Sequence, residues 1–185
     1  MRKFLSLLVV VVALFASQSV SAQKSKLVGK WNIDFEEFVQ MNSHLGMLGE
    51  GTDSFDGIVY FNFERNGKGS YFVDMSVSLE VEEGVMMQMN VEMLFDLNWK
   101  YKRGTLALEY NNCTLDIKNL TITPSKPEYD AVIEQFVPVF EDEMAKEFLS
   151  QSVNNNNDLS VVFIDKDSII ATGSYGYMAT LKRAK

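Results

Sequence analysis

From Tyr71 to Leu97 the chain alternates apolar and polar residues with almost no interruption, and this constrains its fold more than any other feature. The odd positions read Tyr71, Val73, Met75, Val77, Leu79 and Val81, while Asp74, Ser76, Ser78, Glu80 and Glu82 fall between them. After Gly84 the pattern resumes with Val85, Met87, Met89, Val91, Met93, Phe95 and Leu97, against Gln88, Asn90, Glu92, Asp96 and Asn98. A period of two places one set on a buried face and the other on a polar face of a β-strand, whereas a helix would scatter both sets around its axis. The two runs therefore pair as a hairpin turning near Glu83-Gly84. Each is longer than the five or six residues of an average strand.

The same rhythm predicts strands over 27–34, 57–64, 97–101, 105–110, 113–122, 159–164, 168–172 and 177–183. Turn signals separate them at Arg65-Asn66-Gly67, Lys102-Arg103-Gly104, Asn111-Asn112, Asp165-Lys166-Asp167 and Gly173-Ser174-Tyr175-Gly176. A mostly β fold of about 8–10 strands in meander order results. Long consecutive strands favour a closed up-and-down antiparallel β-barrel, because closure removes edges. A sandwich or an open, curved sheet satisfies the same alternation.

Two segments depart from this period. Ser125-Lys126-Pro127-Glu128 combines a capping pattern with an early proline. Tyr129, Val132, Ile133, Phe136, Phe140, Met144 and Phe148 follow at helical spacing, so one long amphipathic helix is expected at about 126–150, before the last three strands. Pro138 is expected to kink or divide it. The asparagine run 154–157 ends it, and Glu134, Glu141, Asp142, Glu143 and Glu147 are assigned to its solvated face. The segment 36–51 reads as a short helix or lid after the first strand. Either helix is placed to gate an interior.

The N-terminus has the layout of a secretory signal peptide. Arg2 and Lys3 precede a short apolar run, and Val20-Ser21-Ala22 suits cleavage after Ala22. Residues 1–22 form the signal peptide on this reading, and 23–185 a single domain, secreted or periplasmic, with no membrane span after cleavage. The chain carries 17 basic and 25 acidic residues, a net charge of −8. Losing Arg2 and Lys3 leaves 15 against 25, or −10. Such a field repels phosphate backbones, so nucleic acid is not an expected partner. Cys113 is the single cysteine and His44 the single histidine. No intramolecular disulfide can form, a thiol nucleophile lacks choice of a base, and a histidine-rich zinc site is excluded. No cofactor or metal is expected.

Leu27-Val28-Gly29-Lys30-Trp31 near the start of the mature chain, followed by a helical segment, hairpins and a last strand bearing Arg183, resembles the lipocalin-like (calycin) proteins, in particular secreted bacterial members. The resemblance implies that Trp31, from the Gly-x-Trp element with Gly29, closes the base of a barrel and that Arg183 packs across it. It extends over nearly all of residues 26–184. The long helix stands before the last three strands, whereas classical lipocalins place theirs after the eighth strand, and no Arg-x-Tyr pair ends the chain.

A fold of this kind implies an interior. The residues expected to line it are Tyr71, Val73, Met75, Val77, Met87, Met89, Val91, Met93, Leu106 and Leu108, a face rich in flexible, polarizable methionine. They suit a small hydrophobic or amphipathic ligand, and they equally suit a packed core, since small barrels can be filled by side chains. No Gly-x-Ser-x-Gly, phosphate loop, His-Glu-x-x-His or dinucleotide fingerprint is present, and no catalytic residues are assigned. The expected function is that of a binding protein and not an enzyme. The alternative is a module with a packed interior that docks on an envelope or secreted protein.

Overall fold

The alternating segments form strands that close on themselves. The computed structural model describes residues 24–43, 52–154, 157–173 and 176–185. The elements run β1 (Gly29–Ile33), α1 (Phe35–Ser43), β2 (Thr52–Phe63), β3 (Lys68–Glu82), β4 (Val85–Lys102), β5 (Thr105–Thr123), α2 (Pro127–Asn154), β6 (Asp158–Phe163), β7 (Ser168–Thr172) and β8 (Met178–Arg183). Each strand pairs antiparallel with the next, and β1 pairs with β8 through Trp31 and Arg183, which makes a ring sheet of eight strands. The proposed signal peptide and the 44–51 part of the expected lid lie outside the described residues. No helix among the described residues is long and apolar enough to cross a membrane.

The ring is lopsided, because β2 to β5 have 12 to 19 residues and the other strands only five or six. Residues 105–107 of β5 pair with β6, and beyond them no strand among the described residues lies beside this edge of β5. An open strand edge presents unpaired amides and carbonyls. Helix α2 covers this one, and the Glu141 carboxylate accepts the Ile117 N–H at 2.6 Å. Glu141 is therefore not on the solvated face, unlike exposed Glu134, Asp142, Glu143 and Glu147. Helix spacing put it among those acids; the amide it meets belongs to a strand more than twenty residues away. Replacing Glu141 with alanine is expected to cost about 1–3 kcal/mol, the penalty of a half-buried amide without its charged acceptor, measured by urea denaturation. A midpoint equal to the parent's would show that water serves the amide as well.

The helix itself is not divided at Pro138 and runs unbroken from Pro127 to Asn154. Its half-buried residues Tyr129, Ile133, Val137, Phe140, Met144, Phe148 and Ser152 make one stripe at helical spacing. Ala145, Phe148 and Leu149 reach the core of the sheet. At the other end, Asp34 caps α1, its Oδ1 accepting the Glu36 N–H at 3.1 Å. Glu37 ties α1 to β8 by accepting the Thr180 N–H at 2.6 Å.

Two expected boundaries are absent. Residues 85–102 form one strand, not two, and Asn111-Asn112 is not a turn but part of a continuous β5. Asp96 pairs with Asn112 and Leu97 with Tyr110, so Asn111 is the extra residue of a β-bulge. The reason lies in side-chain parity. Leu106 and Leu108 point inward from even positions, and Cys113, Leu115 and Ile117 from odd ones. One inserted residue is needed to keep both groups on the same face.

Candidate functional site

The base of the ring is built around Trp31, which is fully buried. Its indole N–H donates to the Leu27 carbonyl at 2.7 Å. The Arg183 guanidinium lies 4.3 Å over the ring, a cation–π arrangement. Arg183 Nη1 also donates to the Val28 carbonyl at 2.9 Å, Nη2 to the Lys26 carbonyl and Nε to the Lys166 carbonyl at 3.4 Å. One side chain thus ties the segment before β1 to the end of β8. Gly29 has φ +124°, and a Cβ there would stand 2.8 Å from Arg183 Nη1. Only glycine meets both demands. The structure brings Gly29, Trp31 and Arg183 together at one place.

Above the base, the inner face is filled by aromatic rings. Trp99 donates its indole N–H to the carbonyls of Lys68 (2.8 Å) and Glu64 (3.1 Å), which fixes it against the β2–β3 turn. From Trp99 a chain of ring contacts passes through Phe63, Phe61, Tyr71, Phe95 and Tyr110 at centroid separations of 4.5 to 5.8 Å. Such pairs add to the stabilisation from burial alone. Of these residues, the sequence reading singled out Tyr71 alone as a lining group. The others sit on the same alternating face, so the pattern held the signal, but aromatic and aliphatic residues carry equal weight in it.

Of the expected lining residues, Val73, Val91, Met93, Leu106 and Leu108 are buried in the core and Tyr71, Met75 and Met89 are half-buried against it. Val77 is buried outside that cluster, and Met87 is half-buried toward the hairpin end. Two phenols interrupt the apolar surface. The Tyr71 and Tyr110 rings are 6.5 Å apart and edge to face. No hydrogen bond joins either hydroxyl to another described residue, and neither is a sealed polar atom, so both are reached by solvent. Burial pushes both phenols above their ordinary range, and the Tyr110 charge would raise Tyr71 further. They are neutral donors at any physiological pH. Cys113, on the same face, is buried and its thiol is pushed up to about 11, so it behaves as a small hydrophobe and not as a nucleophile.

Among the described residues no group of three or more His, Cys, Asp or Glu side chains is placed to hold a metal ion. The fold and this interior define a closed, eight-stranded antiparallel β protein with an apolar, aromatic-rich inner face and a strapping helix. Comparison with protein-family models and with curated proteins returns no match.

Proposed function

We propose that this chain is a secreted, lipocalin-like binding protein. On this reading the ring sheet is an up-and-down barrel closed at its Trp31–Arg183 end. A small amphipathic molecule is held against the inner face of β3 to β5, beneath α2. The observation that carries the reading is the pair of half-buried phenols of Tyr71 and Tyr110, 6.5 Å apart on an apolar inner face, whose hydroxyls are not sealed in the core and so are open to water or to a ligand. Each hydroxyl is a neutral donor that an acceptor on a ligand would engage in place of water. The half-buried Met75, Met87 and Met89 would adapt to the ligand's apolar part. The packed alternative, a module that docks on another protein, draws on the aromatic chain between Trp99 and Tyr110, which fills the lower interior.

Native mass spectrometry of the protein from a secreting host, before and after adding fatty acids, sterols and aromatic metabolites, tests this. A retained molecule is expected. Retention of ligands with an acceptor head should fall about tenfold when Tyr71 and Tyr110 are both changed to phenylalanine, the loss of about 1.4 kcal/mol of hydrogen bonding. Replacing Met89 with tryptophan should displace the ligand by filling its space. A ligand-free mass across the whole panel would overturn the reading in favour of the packed module.

A further inference from the structure

The outer face of β2 to β5 holds a second feature near the Glu83-Gly84 hairpin end. A concavity of about 460 Å³ opens there, lined by Asp56, Ser76, Ser78, Gln88, Asn90, Asn119 and Thr121, with Val77 and Met89 between them. A neighbouring hollow of about 250 Å³ shares Asp56, Ser76 and Asn90 and adds Asp74. The larger volume is within the range of small-molecule sites, roughly 300–1,000 Å³. The lining comes from strands in register, Asp56 beside Ser76 beside Asn90, and Ser78 beside Gln88 beside Thr121.

Its composition is unusual for a merely solvated face. Further along the same face the positions are charged, with Asp74, Glu92 and Asp116 in one row. In the concavity the outward positions are mostly amides and hydroxyls, with Val77 and Met89 adding apolar surface. Asparagine fits strands poorly, yet Asn90 and Asn119 stand within β4 and β5 here. A second β-bulge sits here, where Asn119 and Leu120 oppose Met89 between the pairs Gln88–Thr121 and Asn90–Lys118. Asn119 adopts φ +54°, a left-handed conformation uncommon outside glycine, and its side chain lines the concavity.

The chemistry of the lining selects a ligand class. The Ser76 hydroxyl donates to Asn90 Oδ1 at 3.2 Å, which orients the Asn90 amide and leaves its NH₂ to donate. Asn119 and Gln88 each offer an acceptor and two donors side by side, a match for the adjacent hydroxyls of a sugar. Asp56 and Asp74 accept from hydroxyls and repel anions. Lys118, which pairs with Asn90 across the ladder, is held by Glu92 at 2.6 Å and Asp116 at 3.6 Å. We infer that this concavity binds a neutral saccharide.

Titration of the full, ¹⁵N-labelled protein with the methyl glycosides of glucose, galactose, mannose and N-acetylglucosamine, and with cellobiose and maltose, tests it by amide shifts. At least one should give saturable shifts centred on Ser76, Asn90 and Asn119. Asn119→Gly keeps the bulge, because glycine adopts positive φ freely, and should weaken that sugar about tenfold, as expected for lost amide hydrogen bonds, without lowering the melting temperature. Absence of saturable shifts across the panel would overturn the proposal. So would shifts confined to another surface, equal binding by the Asn119→Gly protein, or a response to spermidine in place of the sugars.

Discussion

Replacing Trp31 with alanine is expected to remove about 3–5 kcal/mol of stability, the range for truncating a large buried aromatic. The residue is fully buried, its indole N–H is bonded to Leu27, and its face carries Arg183. Truncation opens a cavity at the one place where the ring closes, between β1 and β8, and leaves the guanidinium without its platform. Against a total of roughly 5–15 kcal/mol for a domain this is a large fraction. Chemical denaturation followed by circular dichroism measures it, and Trp99 remains as a fluorescent reporter. Arg183→Ala, which keeps the indole and removes the cation–π contact, should cost less, roughly 1–2 kcal/mol. A Trp31→Ala protein as stable as the parent would mean that the base is not where the ring is held.

The second large effect is a loss of stability in alkali. Tyr71 and Tyr110 are held above their ordinary value of 10 by burial in the interior. The unfolded chain therefore releases their protons first. Their contribution is fully present below pH 10 and is lost as pH rises toward the folded-state values. Each group removes up to about 1.4 kcal/mol per pH unit over that window, so the pair removes up to about 3 kcal/mol per unit. Cys113, raised from 9.0 to about 11, begins the decline near pH 9. Urea midpoints measured from pH 8 to 11.5 should fall steeply above 10. The Tyr71→Phe, Tyr110→Phe protein should match the parent at neutral pH and lose much of that steepness. An equal slope in both proteins would place the alkaline sensitivity elsewhere.

Both expectations depend on how the inner face was assembled, and the sequence disclosed that face in part. The long runs 71–82 and 85–97 announce β3 and β4 because a period of two survives any tertiary context that buries one side. The bulge at Asn111 was also written in the chain, as the switch from even to odd inward positions between Leu108 and Cys113. Two adjacent asparagines look like a turn, however, and local chemistry masked the switch. Glu141 gave no such clue, since a carboxylate on an amphipathic helix ordinarily faces water. Its role exists only because β6 leaves β5 after Ala107 and exposes the Ile117 amide. The outer concavity was equally invisible, because its residues are the polar half of strands whose apolar half attracts notice.

Alternation, turn residues and a capped apolar helix therefore determined by themselves that this is a meander of antiparallel strands interrupted by a helix before its last three. They are local properties, set by backbone geometry and by the partition of side chains between water and core. The contact of Arg183 with Trp31 was anticipated only by a resemblance and by no local pattern, while the joining of β1 to β8 was decided by tertiary structure alone. The same holds for the aromatic chain inside the ring and the bulge that aims Asn119 outward. Each joins groups far apart in the chain, and twist and strand length, which single residues do not encode, decide which of them meet.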